Sequence, residues 1–226
     1  MKELESLNIN SIEFNGAKKI FNLPVLGKGC VGLVVAASRN GQKIALKIRR
    51  VDADRKNMRH EAEMLRLANK LNIGPKLLGE TENFLVMEFI EGYLISEWIA
   101  KLKGKSQKAR IRRVIHEIME QCWLMDNAGL DHGELSNASK HVIIDEAHHP
   151  VIIDYETAST SRKASNVTSI CQYLFIGSKT AKIITKKLGE IDREKLLENL
   201  KKYKQQKTRE NFENILKTCK IIVNPT

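Results

Sequence analysis

The sequence predicts an α+β chain, strand-rich over residues 1–91 and helical over 92–226, and three observations carry that expectation. Leu33, Val34 and Val35 are strand formers, "KIALKI" alternates as a second strand, and Asn40-Gly41 between them is the dipeptide that favours a tight hairpin turn. A stripe at helical spacing, Ile111, Val114, Ile115, Ile118, Met119, Cys122 and Trp123, runs from Ser106 as N-cap to Gly129 as the residue past the helix end. After residue 165 the chain reads as short basic amphipathic helices, Asn166–Phe175, Thr180–Leu188, Arg193–Tyr203 and Thr208–Cys219.

Composition bounds the rest. With 226 residues and 42% hydrophobic content the chain can bury a sizeable core, as one large domain or two small lobes. No apolar run approaches the ~18 residues of a membrane span, and "MKELESLNIN" lacks a signal-peptide apolar region, so a cytoplasmic protein with no membrane partner is expected. Cys30, Cys122, Cys171 and Cys219 form no C-x-x-C pair, which argues against a zinc or redox site and for buried reduced thiols. A net charge of +11 favours anionic partners: nucleotides, RNA or acidic protein surfaces. The densest basic block, Lys101 to Arg113, has no interleaved aromatics for base stacking and reads first as a solvated helix entrance.

Within the strand-rich part, Gly27, Gly29 and Gly32 of "LGKGCVGLVV" fit G-x-G-x-x-G, with Val34 following. A dinucleotide-binding unit would open a helix here, whereas Leu33, Val34 and Val35 are strand formers, and no G-K-[ST] of a Walker loop is present. A glycine-rich hairpin tip remains, able to bring backbone N–H groups close to phosphate oxygens. The next helix, "RHEAEMLRLANKL", carries an apolar face of Ala62, Leu65, Leu67, Ala68 and Leu71, and Gly74-Pro75 ends it. His116-Glu117 on the long helix lacks the second His of a zinc-protease motif. Beyond it, "DHGELSNASKHVIID" gathers polar groups against an apolar run, and Val142-Ile143-Ile144 with Val151-Ile152-Ile153 predicts a hairpin whose turn holds His148 and His149 as solvated residues.

In this order the motifs resemble a protein kinase. The resemblance implies a two-lobed fold, a small β-rich N-lobe and a helical C-lobe, binding ATP and Mg²⁺ between them. In "IALK", Lys47 would hold the α- and β-phosphates, paired with Glu61 on the following helix or with Glu63 as the second choice. The glycine loop (Gly27, Gly29, Gly32) and Val34 would cover the nucleotide. In "FLVMEFIEG", Met87 would back the adenine, and the backbone of Glu88 to Ile90 would bond its edge. His132-Gly133-Glu134-Leu135 resembles the catalytic loop H-G-D-L, with Glu134 in place of the Asp that orients the attacking hydroxyl. Counting along the motif puts Ser139 at the position of its metal-binding Asn, whereas the register of the following hairpin puts His141 there. Mg²⁺ prefers oxygen to imidazole, and Ser139 or Asn137 offers one. "IIDYETAS" resembles the D-F-G segment, with Asp154 as metal ligand, Tyr155 for Phe and Glu156 for Gly, a change that implies a fixed metal site. An A-P-E motif is missing, and little chain separates Asp154 from the next helical pattern.

Over residues 20–175 the chain most resembles predicted archaeal serine/threonine kinases related to the RIO kinases and to the small kinase of the KEOPS tRNA-modification complex. The reading that follows is an ATP-dependent phosphotransferase, an atypical serine/threonine protein kinase acting on a protein substrate. Two alternatives stand beside it: a nucleotide-binding pseudokinase scaffold on RNA or a ribonucleoprotein, and a small-molecule kinase.

Overall fold

Asn40 and Gly41 both adopt left-handed backbone, φ 51° and 78°, and pair Arg39 with Gln42, so the Asn-Gly turn sets the register of the central hairpin. The computed structural model describes residues 2–53 and 58–221, which divide into two compact units. The first, residues 1–90 with 154–156, contains α1 (Lys2–Ser6), β1 (Ile9–Glu13), β2 (Lys18–Ile20), β3 (Leu23–Val25), β4 (Gly27–Lys28), β5 (Gly32–Arg39), β6 (Gln42–Arg49), α2 (Arg59–Lys70), β7 (Leu77–Glu80) and β8 (Phe84–Glu88). An antiparallel sheet orders its strands β1-β5-β6-β8-β7, with β4 added alongside β5, while β2 and β3 form a separate ribbon.

Alternation assigns the two sheet faces different tasks. Val35, Ala37, Ile44, Leu46 and Val86 join Leu7 and Val25 in a buried apolar cluster. Each large aliphatic side chain removed from water there contributes roughly 1.5–3 kcal/mol. The cross-strand rows Val34–Lys47–Leu85 and Ala36–Ala45–Met87 occupy the opposite face. Helix α2 supplies Glu61 to this second face and buries Ala62, Met64, Leu65 and Ala68. Leu67 and Leu71, expected in that stripe, are only half-buried, because Met64 takes the inner position at i+3 from Glu61.

The second unit, residues 91–153 and 157–226, contains β9 (Gly92–Leu94), α3 (Ile95–Lys101), α4 (Gln107–Asn127), β10 (Val142–Asp145), β11 (Pro150–Ile152), α5 (Asn166–Cys171), α6 (Lys179–Leu188), α7 (Arg193–Gln205) and α8 (Arg209–Thr218). Strands order as β11-β10-β9. The expected stripe of α4 is buried from Ile111 to Cys122, and Trp123, half-buried, stacks on Phe212 of α8. Ser178, Asp192 and Thr208 cap α6, α7 and α8 by accepting the N–H three residues on, each worth about 1 kcal/mol.

Four local expectations need correction. Ser106 precedes α4 but its side chain makes no cap bond; the Gly104 carbonyl instead accepts the Gln107 N–H. The helix expected over Asn166–Phe175 is α-helical only to Cys171 and continues as a π-helical turn over Gln172–Ile176. Cys30 is exposed, since it lies at the glycine-rich turn; the other three thiols are buried, and burial pushes those of Cys122 and Cys171 up. His148 is not a solvated turn residue: its Nδ1 accepts the Trp98 Nε1–H at 3.1 Å. Among the described residues no helix is long and apolar enough to cross a membrane.

Candidate active site

Lys47 is the centre of the first unit's polar chemistry. It is 3% exposed, and its Nζ lies 2.8 Å from Glu61, 3.0 Å from Asp154 and 3.0 Å from Glu156. The hairpin register turns Lys47 away from the apolar cluster, and helical phase turns Glu61 inward while Glu63 stays exposed. Asp154 and Glu156 reach the same ammonium from more than 100 residues later in the chain. Asp154 adopts φ 68°, a left-handed conformation costly for a non-glycine residue and concentrated at functional sites. Tyr155, 1% exposed, anchors that segment: its ring is within 3.0 Å of where a Cβ on Gly74 would stand.

Charge balance gives the site its character. Burial works against the Lys47 ammonium, but the Glu61, Asp154 and Glu156 carboxylates outweigh it and raise its pKa, so it stays protonated. Burial pushes Glu61 up to about 7; Lys47 opposes this and Asp154 and Glu156 reinforce it. Three carboxylates thus share one ammonium, and one oxygen from each of Glu61, Asp154 and Glu156 lies within 4.8 Å of the others. An all-oxygen set of this kind fits Mg²⁺.

The glycine turn lies on the same face. Gly29 N–H donates to the Gly32 carbonyl at 2.8 Å, which closes the turn between β4 and β5. Gly32 must lack a side chain, because a Cβ there would stand 2.9 Å from the Ile48 carbonyl oxygen and 3.1 Å from Lys47 Cγ. Gly27 and Val34 pair across β4 and β5, and Met87 lies in the row of Ala36 and Ala45. Glu88 needs a narrower role than expected: its N–H donates to the Lys76 carbonyl at 2.9 Å and its carboxylate accepts the Lys76 N–H. Its N–H is therefore committed within the sheet unit. Ile90 follows β8 at the end of the same stretch.

In the second unit, Glu134 is half-exposed just before a 3₁₀ turn over Leu135–Lys140, and its carboxylate lies 3.4 Å from His141 Nε2. His141 directly precedes β10, and its carbonyl accepts the Ile153 N–H. The Ser139 hydroxyl instead donates to Asn137 Oδ1 at 3.0 Å. Gly133 adopts φ 90°, a conformation that strains any side chain, and a Cβ there would stand 3.1 Å from the Thr157 carbonyl oxygen. A buried network holds the loop. Asn166 Oδ1 accepts the His132 N–H, and Asp126 accepts from the Asn166 and Val167 N–H groups and from the Tyr203 hydroxyl.

Comparison with known proteins bears on this arrangement. Residues 35–168, more than half of the chain, match the RIO domain. The chain belongs to the RIO family. Lys47, Glu61, Glu134 and Asp154 all fall inside the RIO match, whereas the three glycines precede it. An uncharacterized protein of Methanocaldococcus jannaschii is 30% identical over 121 residues, 53% of this chain and 99% of that relative's length. Among solved structures, the autoinhibited serine kinase domain of the giant muscle protein titin superposes with a TM-score of 0.50 at 22% identity. That superposition covers 61% of this chain and 45% of the titin chain, and it shows the kinase fold alone. The RIO match and this fold together place the chain in the protein kinase-like superfamily.

Sequence reasoning missed two positions that shape the polar centres. Glu156 counted only as a lost glycine, yet it contributes a third carboxylate to Lys47. Asp126 was passed over, although it follows Cys122 at i+4 on the buried stripe of α4, and a carboxylate on an apolar stripe is itself a signal.

Proposed function

We propose that this RIO-family chain transfers the γ-phosphoryl group of ATP to a hydroxyl, as a serine/threonine protein kinase. The observation that carries the reading is the convergence of Glu61 and Asp154 on Lys47 within 3.0 Å, on the sheet face shared with the glycine turn. Lys47, oriented by Glu61, would hold the nucleotide phosphates, and N–H groups of the glycine turn would add donors. Asp154 and Glu156 would hold Mg²⁺, which supplies charge neutralisation on the phosphoryl oxygens when bound. Met87, Ala45 and Val34, half-buried on one sheet face, would offer a smooth apolar surface suited to a base. Glu134 would orient the attacking hydroxyl and accept its proton, with His141 fixing that carboxylate. Ser139, committed to Asn137, is the weaker candidate for a metal ligand.

The test is transfer from γ-labelled ATP with Mg²⁺, following autophosphorylation, protein labelling and free phosphate, in wild type and Glu134→Gln. Transfer that the variant loses supports the reading. Labelling of a metabolite with no labelling of protein would replace it by a small-molecule kinase. A second reading, a pseudokinase scaffold on RNA or a ribonucleoprotein, is favoured by the exposed lysines 101, 103, 105 and 108 and by the engagement of Lys47 with Glu156. It predicts RNA binding that weakens steeply with salt and is unchanged in Glu134→Gln.

A further inference from the structure

The sequence D-Y-E puts a carboxylate where a glycine would leave room, and its position is specific. Glu156 Oε2 is 3.0 Å from Lys47 Nζ and 3.5 Å from the place a Cβ on Gly29 would occupy. The carboxylate therefore lies beneath the glycine turn, with the ammonium on its other side, in the surroundings a nucleotide phosphate would need. Asp154 takes a further donor direction of the same ammonium, and Glu61 accepts from it as well. Lys47 has three N–H donors, and three carboxylates engage them.

We propose that Glu156 is an internal counter-anion that holds Lys47 until a divalent cation draws it off, so that nucleotide without metal is excluded from the site. The inference rests on the phosphotransferase reading above. A phosphate approaching alone would have to displace a carboxylate from the ammonium and then lie beside it and Asp154, like charge against like charge in a largely desolvated place. A divalent cation reverses this. Bound by Asp154 and Glu156, it cancels their two negative charges and leaves the Lys47 donors to the phosphates. Glu156 acts here through Lys47 and the cation, as a positioning residue whose charge sets the order of binding.

Equilibrium binding of ADP, measured with excess Mg²⁺ and with chelator, tests this in wild type, Glu156→Gln and Glu156→Asp. Wild type should bind about tenfold or more weakly in chelator. Glu156→Gln, which keeps the shape and removes the charge, should bind metal-free ADP about tenfold more tightly than wild type does. Glu156→Asp should retain the metal requirement. A residue serving only as a metal ligand would leave metal-free affinity unmoved in Glu156→Gln, and that result overturns the proposal. So does a wild type that binds ADP equally well in chelator. Absence of ADP binding by wild type even with Mg²⁺ removes the phosphotransferase reading and this inference together, whereas Mg²⁺-dependent binding indifferent to Glu156→Gln removes the inference alone. Matching thermal unfolding of the variants in chelator shows that the affinities compare folded proteins.

Discussion

Each unit holds a buried carboxylate centre, around Lys47 in the sheet unit and at Asp126 in the helical unit, and these two centres are satisfied by opposite means. In the sheet unit Glu61, Asp154 and Glu156 surround a single charged partner, Lys47, so the centre carries a surplus of negative charge. In the helical unit the hydrogen bonds to Asp126 come from neutral donors, two backbone N–H groups, the Asn166 amide and the Tyr203 hydroxyl, with the Lys207 charge acting without such a bond. Burial raises its pKa despite those bonds. A centre with surplus charge has interactions that a cation or a phosphate can take over. A centre built of fixed dipoles has none to exchange, and it fixes the backbone of the loop that bears Glu134. Exchangeable charge belongs where ligands come and go, and neutral donors belong where geometry must stay.

Removing the central cation should produce the largest effect. Lys47→Ala leaves three carboxylates without their shared partner, and losing one member of a buried pair costs on the order of 3–5 kcal/mol. Chemical unfolding should register most of that range, moderated because Asp154 is about a third exposed, and phosphoryl transfer should disappear. Mg²⁺ should restore part of the lost stability by neutralising the same carboxylates. Asp126→Ala should cost about 2–3 kcal/mol, since the Asn166 and Val167 N–H groups and the Tyr203 hydroxyl lose their acceptor. Mg²⁺ should not restore it. Equal rescue of both variants would break the distinction between the two centres.

That distinction was only partly legible in the sequence. The Asn-Gly turn and the helix bearing Glu61 and Glu63 were legible, because both depend on contacts within one hairpin or one helix, while the two glutamates stayed open until the structure turned Glu61 inward. The C-terminal helices were legible through their apolar spacing, and the structure adds the caps Ser178, Asp192 and Thr208. Long-range polar partners were not. Glu156 reaches Lys47 only because Asp154 reverses the chain at φ 68°, and Asp126 meets Asn166 across 40 residues with no local pattern to announce it. Strands β1 and β2 carry no such signal, since they are short, largely exposed and lack a strong alternation.

pH offers a gentler probe of the charged centre. The Glu61 carboxyl is raised from 4.5 to about 7, so the folded state holds a proton there that the unfolded chain has released. Below about pH 4.5 both states are protonated and Glu61 costs nothing; as pH rises toward 7 the folded protein loses stability relative to Glu61→Gln, by at most about 3 kcal/mol. Urea midpoints for the two proteins at pH 5 and pH 8 measure the difference. Curves that stay parallel would mean that Lys47 keeps Glu61 ionised throughout.

The smallest effects should come from the loop before β10, where Ser139 and His141 compete for one role. Ser139→Ala removes a hydrogen bond between two residues near the surface, and should change stability by less than about 0.5 kcal/mol and transfer by less than about threefold. His141→Ala removes the group 3.4 Å from Glu134, and if that carboxylate orients the hydroxyl as proposed, misplacing it should slow transfer about tenfold or more. Stability should fall only modestly, because the backbone bonds of His141 to Ala138 and Ile153 do not need its side chain. Single-turnover rates for the two variants test the contrast directly. If Ser139→Ala is the slower, the motif count rather than the strand register locates the functional position. The bond from Ser139 to Asn137 would then be what shapes the loop around Glu134.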